Sequence, residues 1–223
     1  MTDTERRAIV RDSLGVGVAT GLYGASFGAI SVGAGLSVTQ TCVLSLLMFT
    51  GASQFALVGV LGGGGSGASA AATAMLLGTR NTLYGLRLAP LLAWTGGRRA
   101  TAAHLLIDES TAMSVNRPTS EGARLGFLVT GGSIFVLWNL CTLLGAVGGN
   151  AIGDPRTYGL DAAVGGAFLA LLWPQLETLG HRVVAVLAVA VALGLVPLAP
   201  AGVPVLAAGG VALLVGVLSR SSA

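Results

Sequence analysis

The sequence predicts an all-α polytopic membrane protein with about seven transmembrane helices. Of its 223 residues, 53% are hydrophobic and 9% are charged, whereas about a quarter of the residues in a typical soluble domain are charged. The stretches 13–79 and 183–219 contain no Asp, Glu, Lys or Arg. Because one bilayer crossing takes about 20 apolar residues, the apolar stretches hold about six to eight crossings and leave no soluble domain.

Charge, cysteine usage and the N-terminus exclude several other classes of protein. The net charge of +3 is small and scattered along the chain, so we expect no nucleic acid partner. Cys42 and Cys141 lie in apolar stretches without a metal-ligand or disulfide spacing. We interpret both as packing residues and expect no metal and no cofactor. The charged start is followed by an apolar stretch too long for the core of a signal peptide.

The first helix is predicted over about 13–35, and four glycines share one of its faces. It follows a charged tail at 1–12, and the transmembrane domain runs to residue 219 before a tail at 220–223. The glycine face favours close approach of a second backbone, in this chain or in a partner, and a flexible or broken helix is the alternative. The glycines are Gly17, Gly21, Gly24 and Gly28.

The second helix is predicted over about 40–61 and contains the sequence GASQF at Gly51–Phe55. Gln54 is a neutral amide that follows small residues within an apolar run. A buried amide needs a hydrogen-bond partner, which could be a neighbouring helix, a water molecule or a ligand. The glycine-rich stretch 62–67 is a flexible turn, and no phosphate-binding motif follows it.

Arg80 interrupts the third apolar stretch, about 68–95, and is followed by Asn81 and Tyr84. A guanidinium at bilayer depth costs several kcal/mol unless it meets a carboxylate, carbonyls or water. Arg80 therefore either snorkels to the headgroups or lines a polar path through a helix bundle. Three residues predict a break or a bend in this helix. They are Gly78, Gly85 and Pro90.

The polar segment 98–124 contains Asp108 and Glu109, the only adjacent carboxylates in the chain. They lie on a short stretch at about 100–115, which fits a surface helix, a half-helix entering the membrane or a solvated loop. Carboxylates inside the membrane would bind a cation or titrate. A solvated helix start would need no functional explanation.

Four further helices complete the prediction. The fourth covers about 123–149 and places Trp138 and Asn139 at depth, and the fifth covers about 159–176. Prolines divide the last apolar stretch into two helices of about 15 residues each. These prolines are Pro197, Pro200 and Pro204.

Repeat structure and orientation stay open in the sequence. A weak self-similarity around Phe27 and Leu144 favours an inverted repeat with broken helices, as in many secondary transporters. The arginines of the tail favour a cytoplasmic N-terminus. Three full crossings would then place the arginines of 98–124 outside, which violates the same rule.

Three motifs together resemble the large subunit of the AzlC family of branched-chain amino acid exporters. They are GASQF at Gly51–Phe55, RNTLYG at Arg80–Gly85 and the pair Asp108–Glu109. The resemblance covers most of the chain, and GASQF is its most specific part. Members often carry Asp or Asn two residues before the arginine, where this chain has Gly78. If that acid pairs with the arginine, Arg80 must find another partner here.

The resemblance implies a secondary transporter, driven by the proton-motive force, that exports leucine, isoleucine, valine or similar apolar amino acids across the bacterial inner membrane. It implies a small AzlD-type membrane subunit as partner, and a homo-oligomer is a further option. A zwitterion needs an anion-binding group, a cation-binding group and an apolar pocket at one depth. The implied substrate-binding residues are Gly51, Ser53, Gln54, Phe55, Arg80, Asn81 and Tyr84, and the implied proton-coupling residues are Asp108 and Glu109.

Three other functional classes compete with this interpretation. A channel or transporter for an inorganic anion, attracted by Arg80 and Arg87, is the main alternative. An intramembrane enzyme is disfavoured because His104 and His181 are the only histidines and no hydrolase motif occurs. In a purely structural subunit the polar residues would only hold helices together. We therefore expect a transporter rather than an enzyme.

Overall fold

The computed structural model describes residues 1–152, 169, 173 and 176–220, and the regular secondary structure of these residues is helical. This confirms the all-α class for the described part of the chain. Most of the predicted fifth helix at 159–176 lies outside the described residues. The helices are α1 (Asp3–Leu22), α2 (Gly24–Gly33), α3 (Val38–Leu47), α4 (Gly51–Gly62), α5 (Gly67–Leu92), α6 (Gly96–His104), α7 (Asp108–Val115), α8 (Ser120–Ile152), α9 (Leu179–Leu195) and α10 (Val203–Arg220).

The helices α1 and α2 form one arm, interrupted only at Tyr23, that packs along α8. The arm starts at Asp3, so most of the predicted N-terminal tail is helical. The arm and α8 run parallel, because Gly17 of the arm lies against Ser133 of α8 and Gly28 lies against the Thr142 backbone further along α8. All four glycines of the predicted face lie in this contact. Of the two options that the sequence left open for this face, a partner protein or this chain, the structure shows packing within this chain.

The predicted second helix is instead a hairpin of α3 and α4, joined by a break at Met48–Thr50. We call it the first hairpin. At its far end, a Cβ on Gly62 would lie 3.2 Å from the Cβ of Ala34, which follows α2. The hairpin therefore enters and leaves at the same end of the bundle, and its break lies deep inside. The predicted crossing at 40–61 is wrong, because apolar half-helices that turn back have the same composition as one crossing.

The helix α5 runs unbroken for 26 residues, so the expected interruption is wrong. A glycine costs a helix about 1 kcal/mol relative to alanine, which close packing can offset. Gly78 and Gly85 do lie close to neighbours, since an added Cβ would be 3.6 Å from the Ser53 hydroxyl and 3.5 Å from Leu106, respectively. Pro90 lies in the last turn, where it removes one hydrogen bond without ending the helix early.

A second hairpin, α6 and α7, enters from the opposite end of the bundle. At that end the Arg124 guanidinium of α8 donates a 2.8 Å hydrogen bond to the Leu92 carbonyl of α5. The helix α6 then runs inward to His104, whose ring centroid lies 6.2 Å from that of Phe49 in the first break. The helix α7 starts at Asp108 and packs back along α8. The 100–115 stretch is therefore a pair of half-helices rather than a loop, and the predicted inverted repeat stays a prediction.

The arginine-rich segments share one end of the bundle. The amino group of Met1 lies 3.5 Å from the Glu121 carboxylate at the start of α8. A Cβ on Gly122 would lie 3.4 Å from Ile9 of α1. Because the first hairpin does not cross, α6 also starts at this end. The arginines of 98–124 therefore lie on the same side as those of the N-terminus, and the conflict with the positive-inside rule disappears.

Two helical segments of the described residues are long and apolar enough to cross a bilayer, Asp3–Gly33 and Ser120–Gly149. Shorter apolar helices include the two arms of the first hairpin and the two C-terminal helices. The structure thus does not confirm seven crossings. It does confirm the final pair of helices, since α9 and α10 flank the predicted proline-containing junction.

Candidate functional site

A cavity of about 350 Å³ lies where the breaks of the two hairpins meet α1, α5 and α8. We call it the central cavity. Its polar side chains are Thr20, Thr50, Arg80, Asp108 and Glu109, and most of its remaining wall is apolar or aromatic. The apolar and aromatic residues are Ala19, Tyr23, Phe49, Ala52, Phe55, Ile107, Ile134 and Trp138.

Arg80 finds its partner in Asp108 at the start of α7. One Nη atom of Arg80 lies 2.7 Å from an Oδ atom of Asp108, and both side chains are about one third exposed. The Tyr84 hydroxyl, one turn further along α5, donates a 2.6 Å hydrogen bond to the other Oδ atom of Asp108. Asp108 therefore holds two of the predicted site residues and takes the place of the missing acid at position 78. The Arg80 Nε–H is buried and has no partner among the described residues.

Glu109 differs from its neighbour Asp108 in its partners. It lines the central cavity and interacts with the Thr20 hydroxyl of α1. Among the described residues, no cation lies within salt-bridge distance of Glu109. When Arg80, Asp108 and Glu109 are all ionised, the cavity carries one negative charge in excess. This carboxylate is thus available to a cation that enters the cavity.

Gln54 lies behind the cavity wall and is fully buried. Its Nε2 atom donates to the Met48 carbonyl in the break between α3 and α4 at 2.6 Å and to the Ser45 carbonyl of α3 at 3.4 Å. Its Oε1 atom accepts a 3.0 Å hydrogen bond from the indole N–H of Trp138. Of the partners that the sequence left open, the neighbouring helix supplies one and the hairpin supplies the others. Ser53 is also buried away from the cavity lining.

The remaining predicted residues fall into two groups. Gly51, Phe55, Arg80, Asp108 and Glu109 line the central cavity. Asn81 does not, because it points to the other side of α5, lines a separate cavity and donates to the Leu106 carbonyl at 3.2 Å. Arg87, which the anion hypothesis invoked, is exposed on α5 and lines neither cavity. The assignment of substrate contacts stays a prediction.

The sequence analysis missed Thr20, Tyr23 and Trp138 as cavity residues. Tyr23 interrupts the α1–α2 arm, and its ring centroid lies 5.5 Å from that of Phe55. Trp138 was recognised only as a tryptophan at depth. An aromatic side chain in an apolar helix is most often a packing residue, so its type alone gave no signal.

A comparison with family models matches this chain to the AzlC protein family over residues 15–152, more than half of its length. The chain belongs to the AzlC family. The match confirms the resemblance and covers both hairpins and all described residues of the central cavity. No curated protein and no solved structure matches the chain.

The AzlC family is associated with branched-chain amino acid transport. The family and the long apolar helices together support a membrane protein with a transport role. The site residues of this AzlC-family chain thus lie on both hairpins and on α5 between them. Each hairpin break leaves backbone groups that side chains or a ligand must satisfy.

Proposed function

We propose that this AzlC-family chain is the large subunit of a secondary transporter that exports branched-chain or similar apolar amino acids. The observation that carries the proposal is the central cavity, where a guanidinium, a carboxylate without a cationic partner among the described residues and an apolar wall lie together. These are the three elements that a zwitterion with an apolar side chain requires.

Arg80 would bind the substrate carboxylate. Asp108 occupies one side of its guanidinium at 2.7 Å, which fixes the plane of the group and leaves other N–H donors for the ligand. A lysine ammonium would not offer this fixed fork, so the proposal specifically needs arginine.

Glu109 would bind the substrate ammonium group or carry the coupled proton. It lines the cavity and has no cationic partner among the described residues. The substrate ammonium group would then neutralise the charge of Glu109, and the substrate carboxylate would neutralise the charge of Arg80. The aromatic wall formed by Tyr23, Phe55 and Trp138 would then receive the substrate side chain.

The net charge of the cavity disfavours an inorganic anion as the substrate. Two carboxylates and one guanidinium line it, and the second arginine invoked for an anion path is exposed outside it. A bare anion would meet Arg80 already paired with Asp108 and would be repelled by Glu109. An amino acid brings its own cation to Glu109. No enzymatic activity is proposed.

The arginine-rich end of the bundle would face the cytoplasm of a bacterial inner membrane, and the chain would cross that membrane several times. The shared location of the N-terminus, Arg117 and Arg124 supports this orientation. Export would then be driven by the proton-motive force. A small AzlD-type subunit would pack on a surface other than the Gly17–Gly28 face, which α8 covers.

Counterflow in proteoliposomes tests the proposed substrate. Vesicles containing the chain with its proposed small partner are loaded with unlabelled leucine, and entry of radiolabelled leucine, isoleucine, valine and chloride is measured. We expect accumulation of the amino acids, no chloride flux and no accumulation with Arg80→Ala at equal protein content. Chloride flux without amino acid counterflow would overturn the proposal. The same measurement without the partner tests whether the second subunit is required.

A further inference from the structure

Trp138 connects the glutamine of the GASQF motif to the wall of the central cavity. Only 3% of Trp138 is exposed, yet it lines the cavity, so only one part of the indole can contact a ligand. Three aromatic rings fix its plane. The centroid of Trp138 lies 6.2 Å from Phe27 in a stacked arrangement, 6.2 Å from Phe55 edge-on and 6.4 Å from Tyr23.

The indole N–H of Trp138 is bonded away from any ligand. It donates to Gln54 Oε1 at 3.0 Å in a fully buried contact. Gln54 is fixed in turn by its 2.6 Å donation to the Met48 carbonyl in the first break. Since both ends of the amide are used, the amide cannot turn to release the indole without breaking a second buried hydrogen bond.

We infer that Trp138 is a specificity-determining residue of the central cavity and that Gln54 is a positioning residue that keeps the indole N–H out of it. The inference rests on the proposed function and names which amino acids the site rejects. With its one polar group occupied, Trp138 presents only ring carbons to the ligand. A substrate hydroxyl placed there loses its water and gains no partner.

Valine and threonine provide the matched pair of substrates, because they differ by one hydroxyl in place of a methyl group. An apolar pocket discriminates between such a pair by roughly a hundredfold. Gln54→Leu removes the acceptor that holds the indole N–H behind the cavity wall, so the indole can shift within its plane and offer this donor to the threonine hydroxyl. We expect the valine-to-threonine ratio of kcat/KM to fall roughly tenfold, mainly through a lower KM for threonine.

Trp138→Phe tests the connection between the two residues. It removes the N–H altogether, so Gln54→Leu should change the valine-to-threonine ratio little further once Trp138 is phenylalanine. Trp94→Phe is the control, because Trp94 lines a different cavity and packs against Phe127.

Indole emission supplies a readout of whether a ligand reaches Trp138. In a Trp94→Phe, Trp173→Phe background, Trp138 is the only remaining tryptophan. Leucine should alter its emission in a saturable way, and Gln54→Leu should shift the emission of the free protein. Leucine counterflow with an unchanged valine-to-threonine ratio in Gln54→Leu would overturn this inference alone. Absence of apolar amino acid counterflow in the parent chain would overturn the proposed function and this inference with it.

Discussion

The two hairpins solve the same structural problem with different chemistry. In each, a polar side chain early in the second half-helix reaches back to a carbonyl at the break. Gln54 does so in the first hairpin, donating to Met48 at 2.6 Å. Ser110 does so in the second, donating to the Leu105 carbonyl at 2.8 Å while its oxygen accepts the Ile107 N–H at 3.0 Å.

The difference between the hairpins lies in what each presents to the central cavity. The second hairpin contributes two carboxylates, one of which pairs with Arg80. The first contributes Phe49, Gly51 and Phe55 and no charge. The second hairpin and α5 therefore supply the groups that recognise charge. The first hairpin shapes the apolar wall, with Trp138 as its counterpart on α8.

Among the predicted changes, loss of Arg80 should reduce transport most, because it removes a group that recognises charge. Arg80→Ala removes the proposed carboxylate anchor, and we expect kcat/KM for leucine to fall about a hundredfold or more, since hydrogen bonds to charged groups are worth about 1.5–3 kcal/mol each. Arg80→Lys should restore little of this activity. Counterflow measured at equal amounts of folded protein tests the prediction. Full transport by the alanine variant would leave Arg80 with a snorkelling role only.

The second largest effect is expected at the close contact between Gly28 of α2 and the backbone of α8. A Cβ on Gly28 would collide with the backbone of Thr142, whereas a Cβ on Gly15 would meet nothing within 4 Å. Gly28→Ala should therefore destabilise the chain by about 2 kcal/mol or more. Gly15→Ala should be neutral or slightly stabilising, because alanine favours the helix. Thermal unfolding in detergent distinguishes the two, and equal midpoints would show that α2 and α8 are not packed this closely.

Asp108 and Glu109 should differ from each other although they are adjacent. Glu109→Gln should lower kcat/KM about tenfold and flatten the pH dependence of efflux, because the carboxylate without a cationic partner among the described residues is lost. Asp108→Asn should keep that pH dependence. It should instead lower stability by about 1 kcal/mol, because an ion pair about one third exposed is broken. Efflux measured against external pH tests both variants, and identical profiles would contradict the assigned roles.

Ser110 provides the smallest predicted effect and the direct counterpart of Gln54. Ser110→Ala removes the side-chain hydrogen bonds across the second break and should cost about 1 kcal/mol. Thr111 still donates to the Ile107 carbonyl at 2.8 Å, so one side-chain hydrogen bond remains at the break. We expect unfolding at a lower temperature with an unchanged valine-to-threonine ratio. A changed ratio would mean that both hairpins shape the apolar wall.

Local sequence patterns were sufficient for much of this architecture. The apolar composition predicted a helical membrane chain, and the prolines near residue 200 located the junction of α9 and α10. The rare polar residues Gln54, Arg80 and Asp108 also stood out from the sequence, because each is costly in an apolar environment without a partner. Such residues identify a site by their chemistry before any contact is known.

The tertiary structure decided which of these residues meet and which helices turn back. Gln54 and Trp138 are 84 positions apart, and nothing in the spacing of either residue indicates their hydrogen bond. Arg80 pairs with Asp108 on the second hairpin, and no residue close to Arg80 in the sequence indicates this partner. The physical reason is that hydropathy and glycine spacing report only the local preference of a segment for helix and for an apolar environment. A crossing helix and a buried hairpin satisfy that preference equally well, and only packing against α5 and α8 distinguishes them.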